Sequence, residues 1–372
     1  MAGAGLRNVA VAESRISSID GARGVLAYRG IDIHALAEHS SFEETAYLLH
    51  EGELPTRSEL EAFSAALAGE RAIPDTVLGV LRALPRNTHP MTALRTAVSA
   101  LGAADPDADD DGAAAALRKS RRLIAQMATV VALVARVRGG APPVPPDPAL
   151  PHATNFLYML SGRRPEPEAA RAMDLALVLH ADHEFNASTF AARVAASTLA
   201  DVHGAIVAAI ATLKGPLHGG ANEAVMKMLE TIGSPDRVEG FVRDALAQKK
   251  KIMGCGHAVY RTEDPRATHL RRMSERLCRE AGQLRWYEMS RQIEDLVGRE
   301  KGLRPNVDFY SASTYHVLGI ETDLFTPVFA VSRIAGWTAH VLEQLADNKL
   351  IRPESDYVGP RDVPYVPVAD RG

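Results

Sequence analysis

The pattern of apolar and polar positions changes period near residue 31. Residues 8–30 alternate apolar with polar and break at Gly21, Gly24 and Gly30, which predicts a few short strands or extended pieces. From Ile31 onward the period is helical almost throughout. The run 32–50 carries Ile33, Leu36, Ala37, Phe42, Ala46, Leu48 and Leu49, and Ser58-Glu59-Leu60-Glu61 resembles a capping box opening the next helix. Further helices are predicted over 75–84 and 91–101, parted by the Asn87-Thr88-His89-Pro90 turn, and over 155–160. The stretch 171–213 is so rich in Ala, Val and Leu that it reads as two or three buried helices. A new amphipathic pattern starts at Glu223, and helical runs follow at 236–250, 267–281, 283–298, 311–318 and 326–345. Strands and helices do not alternate and no internal repeat is visible, which argues against a doubly wound sheet. The class is all-α with a small N-terminal β element.

Two irregular stretches interrupt this pattern. Ala141-Pro142-Pro143-Val144-Pro145-Pro146-Asp147-Pro148 cannot be helical and reads as a surface crossover. It could be a domain linker, but helical pattern resumes soon after, so the simpler reading is a loop inside one helical domain. In the acidic stretch, Asp107, Asp109, Asp111 and Gly112 fit the first six positions of a calcium loop. The twelfth position is Arg118, where a bidentate carboxylate is needed. The expectation is an acidic loop leading into a helix at Ala113, with no calcium.

Composition narrows the class of protein. The 372 residues suit one large domain or two ordinary ones, with 46% apolar and 24% charged residues. A net charge of −4 gives no electrostatic footprint for nucleic acid or an anionic membrane. Cys255 and Cys278 alone cannot make a disulfide framework, and the first residues show no basic start followed by an apolar core. A cytoplasmic protein is expected.

Candidate chemistry gathers in glycine-, proline- and turn-marked stretches. Gly215-Pro216-Leu217-His218-Gly219-Gly220 sits between two helical blocks, where glycines permit close approach of a substrate and one block could swing on the other. The plainer reading is a helix–helix turn with a surface histidine. His180-Ala181-Asp182-His183-Glu184-Phe185-Asn186 lies inside a helical pattern that would put 180, 183 and 184 on one face. That face could hold zinc, although the spacing matches no zinc motif. Hydrogen-bonded core histidines or an anion site are the alternatives. Lys249 to Arg261 contains Gly254-Cys255-Gly256-His257 but fails as a dinucleotide fingerprint, because a helix and not a strand precedes it. Small residues edged by lysines and Arg261 would still suit a phosphate-bearing adenine ligand. Cys255 could be a thiol nucleophile only if it were aimed at His257, which residues two apart seldom are. Asp264-Pro265-Arg266 would present one guanidinium to a carboxylate. Asp308 follows an extended segment and is either a helix-entry aspartate or a base.

These motifs, in this order, closely resemble the citrate synthase family over almost the full chain. The likeness rests on Gly215-Pro216-Leu217-His218-Gly219-Gly220-Ala221-Asn222, Gly254-Cys255-Gly256-His257-Ala258-Val259-Tyr260-Arg261 with Asp264-Pro265-Arg266, and Asn306-Val307-Asp308. Ile16 to Gly21, His89-Pro90-Met91, Ala335-Gly336-Trp337 and Ile351-Arg352-Pro353 extend it. The resemblance implies a two-domain helical fold, with a large domain of 1–219 and 323–372 and a small mobile domain of 220–322. It implies condensation of acetyl-CoA with oxaloacetate, without metal or cofactor, in a homodimer of the short bacterial or archaeal type. His218 would bond the acetyl-CoA carbonyl, Asp308 would take a methyl proton, and His257 would polarise the ketone. His183, Arg266 and Arg333 would bind oxaloacetate, with Arg352 donated by the other subunit. Lys251, Ile252, Met253, Gly254, Cys255 and Gly256 would wrap the CoA adenine, and Arg261 would contact a phosphate. One departure is Ala258, where many bacterial members carry Arg. Three rivals remain at this point. They are a 2-methylcitrate synthase using propionyl-CoA, a metal-dependent hydrolase built on His180, His183 and Glu184, and a non-catalytic CoA-binding relative.

Overall fold

The computed structural model describes residues 4–6 and 9–371. A three-stranded antiparallel sheet comes first: β1 (Ser17–Asp20), β2 (Val25–Tyr28) and β3 (Ile31–Asp32), in the order β1-β2-β3. Ser17 pairs with Tyr28 and Asp20 with Val25, so the β1–β2 turn holds Gly21 and Gly24. Sixteen α-helices follow among the described residues. They are α1 (Ile33–His39), α2 (Phe42–Glu51), α3 (Arg57–Gly69), α4 (Asp75–Ala83), α5 (Pro90–Ala104), α6 (Ala113–Arg138), α7 (His152–Ser161) and α8 (Pro167–His180). After these come α9 (Ala187–Ser197), α10 (Val202–Leu213), α11 (Ala221–Ile232), α12 (Val238–Ala247), α13 (Pro265–Glu280), α14 (Arg285–Lys301), α15 (Val307–Val317) and α16 (Phe325–Ala346). The all-α class with a small N-terminal β element is what the structure shows.

Helix ends follow capping chemistry more closely than apolar period does. The predicted run 32–50 is two helices, because Ser41 turns extended and its hydroxyl accepts from the Glu44 N–H to start α2. The capping box of α3 is Thr56 with Glu59, two residues earlier than the Ser58 start that the sequence suggested. Thr56 accepts from the Glu59 N–H while the Glu59 carboxylate accepts from the Thr56 N–H, so two orphan donors are met together. The run predicted to reach residue 250 stops at Ala247, where Lys249 takes a left-handed φ of 54°. The 171–213 stretch resolves into three helices, α8, α9 and α10.

The core centres on α16. From Phe325 to Val341 every residue is buried, and α2, α6, α8, α9 and α10 surround it. A helix buried on all sides is wrapped by others, and the polar groups α16 carries, Arg333 and His340 among them, must find partners inside. Helices α11 to α15 pack chiefly among themselves and meet the rest through α13 against α1 and α8, and through α11 against α16. The Pro-rich stretch is a crossover seated on the helices: Arg71 donates to the carbonyls of Asp147 and Leu150, and Asp147 N–H donates to Asn155. In the acidic loop, Arg118 and Arg122 take Asp107, and Arg122 also takes Asp105. Among the described residues no helix is long and apolar enough to cross a membrane.

Candidate active site

His218 sits in the turn between α10 and α11, half-buried. None of Gly215, Gly219 and Gly220 uses the left-handed region; Gly219 is required for another reason. A Cβ there would lie 2.3 Å from the Leu213 carbonyl oxygen, to which the Gly219 N–H donates. The tight turn that aims His218 therefore depends on a missing side chain. Its Nε2 receives the Ser188 N–H at 3.2 Å and lies 2.8 Å from the Ser188 hydroxyl. A nitrogen that accepts an N–H carries the lone pair, so the ring proton sits on Nδ1 and points away from Ser188. Burial, aided by Arg333, pushes the imidazole down to about 4, so it is neutral at pH 7.

His257 is fixed by the opposite nitrogen. Its Nδ1 accepts from the N–H groups of Val259 and Tyr260, which leaves Nε2–H as the donor. Burial first, then Arg266, pushes this ring down to about 4 as well. His183 lies beside it, the ring centroids 5.2 Å apart, and its Nε2 is 3.3 Å from the Tyr260 hydroxyl. Burial and the nearby Arg266 hold His183 well below the ordinary range.

The predicted helical face over 180–186 does not exist. Helix α8 ends at His180, and Glu184 has φ 50°, so His183 leaves the helix and turns toward His257. The His180 Nδ1 is 2.7 Å from the Ala176 carbonyl, and the Glu184 carboxylate accepts from the Ile19 N–H. Those side chains do not converge, and among the described residues no three His, Cys, Asp or Glu gather where a metal could sit.

Asp264 and Arg266 form a buried bidentate pair at 2.8 and 2.9 Å. The guanidinium expected to face a carboxylate is thus held by its own neighbour. Burial pushes the Asp264 carboxyl up, and Arg266 more than reverses this, holding it below the usual range. Asp264 also accepts from the Val307 N–H, which ties this pair to the start of α15. Asn306 caps that helix, so Asp308 is not the cap; its carboxylate is left over for other work. Burial pushes Asp308 up to about 6, although Arg266 and Arg333 pull the other way. Arg333 lies on α16, buried, donating to the His180 carbonyl at 2.7 Å, and burial lowers it to about 10.

The glycine-rich loop is laid against α15 by its backbone. Gly256 N–H donates to Arg304, Asn306 N–H donates to Gly254, and the Asn306 side chain donates to Gly256. Gly254 is left-handed at φ 75°, and a Cβ would meet Phe309 and Val225 at 2.7 Å. Lys251 and Arg261 are exposed, Ile252 is buried, and Met253 and Cys255 are half-buried. Burial pushes the Cys255 thiol up to about 12, which removes it as a nucleophile. Arg352 does not join this cluster: it is exposed in the extended segment after α16, along a groove lined by Arg15, Phe190 and Leu350.

Sequence reasoning missed the residues that hold the cluster. Ser188 and Trp337 support His218, and the indole N–H donates to the Ser188 hydroxyl. Tyr28 of β2 accepts the Asp182 N–H and sits 3.0 Å from the Asp182 carbonyl. The β1–β2 turn abuts the 257–263 loop, where Arg261 N–H donates to Gly21 and a Cβ on Gly21 would lie 2.4 Å from the Val259 oxygen. A buried Tyr in a short N-terminal strand was a signal only in retrospect, since its partners lie some 150 residues away.

This helical fold, with paired neutral imidazoles, a carboxylate of raised pKa and buried guanidiniums, belongs to an enzyme. The family described as "Citrate synthase, C-terminal domain" matches residues 5–354. "Citrate synthase 2" of Bacillus subtilis is 51% identical over 99% of this chain and 98% of its own. A 2-methylcitrate synthase of Mycobacterium tuberculosis is 44% identical over 95% and 90%. The ternary complex of carboxymethyl coenzyme A and oxaloacetate with citrate synthase from Thermoplasma acidophilum superposes with TM-score 0.91 at 36% identity, covering 99% of each chain. The chain belongs to the citrate synthase family and is an acyltransferase.

Proposed function

We propose that the protein condenses acetyl-CoA with oxaloacetate and hydrolyses citryl-CoA to citrate and CoA. One observation carries the reading: His218 is a neutral imidazole whose Nε2 is engaged by Ser188, so that Nδ1–H is free to donate. A thioester methyl is a weak carbon acid, and a carboxylate alone removes its proton too slowly. Donation from Nδ1–H to the developing enolate oxygen stabilises the charge as it forms. Asp308, half-buried and raised to about 6, is a stronger base than an ordinary carboxylate yet is largely ionised at pH 7. His257 donates from Nε2–H to the ketone oxygen and becomes the acid that protonates the new alkoxide. His183, Arg266 and Arg333 hold the two carboxylates of oxaloacetate, and in a homodimer Arg352 completes the grip from the partner. The 251–256 loop and Arg261 take the CoA adenine and a phosphate. The relative crystallised with carboxymethyl coenzyme A and oxaloacetate supports both ligands.

Water must be kept from the enol, which calls for closure of a small domain, 220–322, over the remainder. The packing of α11–α15 among themselves supports that division, and the Gly219–Gly220 junction, where the chain passes from α10 to α11, is the hinge we assign to it. The chemistry assigned here runs on side chains alone, with acetyl-CoA as substrate, and the protein works in the cytoplasm. The 44% identical 2-methylcitrate synthase favours one second reading, propionyl-CoA as the acyl donor. Thiol release with oxaloacetate, compared for acetyl-CoA and propionyl-CoA by kcat/KM, tests both. A preference for acetyl-CoA is expected; a preference for propionyl-CoA moves the protein to the second reading, and no release from either overturns both.

A further inference from the structure

Behind the oxaloacetate histidine lies a chain of buried polar groups that the proposed mechanism does not use. Asp182, fully buried, precedes His183 in the turn after α8. Its Oδ2 accepts from the Ser17 hydroxyl, the Glu184 N–H at 3.2 Å and His340 Nε2 at 3.3 Å. On the far side, His340 Nδ1 faces Arg193 Nη1 at 3.2 Å. A guanidinium only donates, so Nδ1 holds the lone pair and Nε2–H is turned on Asp182. Arg193 in turn donates to Glu343 at 2.7 Å, and Glu343 accepts from the Arg15 N–H at 2.7 Å. Arg193 also stacks over Phe185 at 4.6 Å, and the His340 ring lies 5.5 Å from the same Phe185. Two groups from α9 and α16 therefore grip both flanks of the turn that carries His183.

The turn needs such a grip. It holds a non-glycine residue at positive φ, Glu184, and it is the only covalent support for a ring that must meet a small substrate. Arg333, the buried guanidinium expected on a substrate carboxylate, is tied to the same turn, donating to the His180 carbonyl at 2.7 Å, and Asp182 lies near enough to favour its charged form. Burial pushes the Asp182 carboxyl up, and His340, Arg333 and Ser17 together bring it below its ordinary value. The turn that Asp182 holds thus carries one group expected on the substrate and anchors another.

We propose that Arg193 and His340 are positioning residues for dicarboxylate binding, acting through Asp182 on His183 and Arg333. The proposal rests on the function assigned above. Replacing His340 by Leu removes both hydrogen bonds, while Gln can restore both, its amide N–H₂ to Asp182 and its carbonyl to Arg193. For His340→Leu we expect KM for oxaloacetate to rise by about tenfold or more, with KM for the acyl-CoA within about twofold of the parent. His340→Gln should return oxaloacetate KM to within about threefold of the parent. A merely structural role would move neither constant selectively. Equal rises in both KM values, or a folded His340→Leu with parental oxaloacetate KM, would overturn the proposal. If His340→Leu does not fold, Ser17→Ala removes a different donor to Asp182 from outside the α9–α16 packing. It should raise oxaloacetate KM alone, and an unchanged value sinks the idea. Calorimetric titration of the parent with oxaloacetate separates the two claims. No binding there removes the assigned function and this proposal with it, whereas equal binding by parent and His340→Leu removes only the proposal.

Discussion

At the scale of single residues, the site works by deciding which nitrogen of each imidazole keeps its proton. Ser188 N–H claims Nε2 of His218, and the N–H groups of Val259 and Tyr260 claim Nδ1 of His257. In the proposed reaction Asp308 is the group that sets the acid limit. Its ionised form would be the base, and burial holds it at about 6, so kcat/KM should fall about tenfold per pH unit below 6. The two histidines, pushed to about 4, stay neutral through that range and add no second limb there. A pH–rate profile with its acid limb near 4 would contradict the role of Asp308. His218→Ala and Asp308→Asn should each lose roughly 10²–10⁴ in kcat while giving the parental circular dichroism spectrum. Near-normal turnover in either folded variant would remove that residue from the reaction. These positions stood out in the sequence because glycines and prolines mark the turns that carry them. The partners were not: Ser188 reaches His218 across 30 residues and Trp337 reaches Ser188 across 149, and no local pattern encodes such pairs.

At the scale of elements, apolar period located nearly every helix, and capping chemistry placed its ends. The α3 start shows the difference. Ser58 precedes an acidic residue as a cap would, yet Thr56 is the residue whose hydroxyl and N–H both engage Glu59. Thr56→Ala should lower the stability of the protein by about 1 kcal/mol, and Ser58→Ala by less than about 0.5 kcal/mol. Urea unfolding of the two variants compares them directly, and a larger loss for Ser58→Ala would restore the sequence-based boundary. The stretch 180–186 failed for a related reason. Its residues keep helical spacing, but Tyr28 and Ser17 of the sheet bond the backbone and side chain of Asp182 and draw the chain out of the helix. Tertiary hydrogen bonds won over local period there, and His183 is left off the helix axis beside His257.

For the whole molecule, buried titratable groups set the response to acid. Burial drives His50, His152 and His180 down to about 3, so each stays neutral in the folded state while the unfolded chain protonates near 6.5. The unfolded state then binds more protons, and stability falls as pH drops below 6.5. Asp174, raised by burial to about 7, and Asp308, raised to about 6, act with the opposite sign, since the folded state takes those protons first. With His218 and His257 also depressed, the histidines outnumber the carboxyls. Each fully buried histidine costs on the order of 2 kcal/mol by pH 5. We expect Tm to fall steadily from pH 7 to pH 5 in scanning calorimetry; a constant or rising Tm would mean that these rings are solvated. The central helix has a different consequence, in the order of events during synthesis. Helix α16 is enclosed by α2, α6, α8, α9 and α10, all of which leave the ribosome before it. At roughly 5–20 residues per second, the groove those helices form waits on the order of ten seconds for its occupant after α10 is made. Until then the apolar faces that α16 covers in the finished fold lack their partner, and the nascent chain depends on whatever shields them.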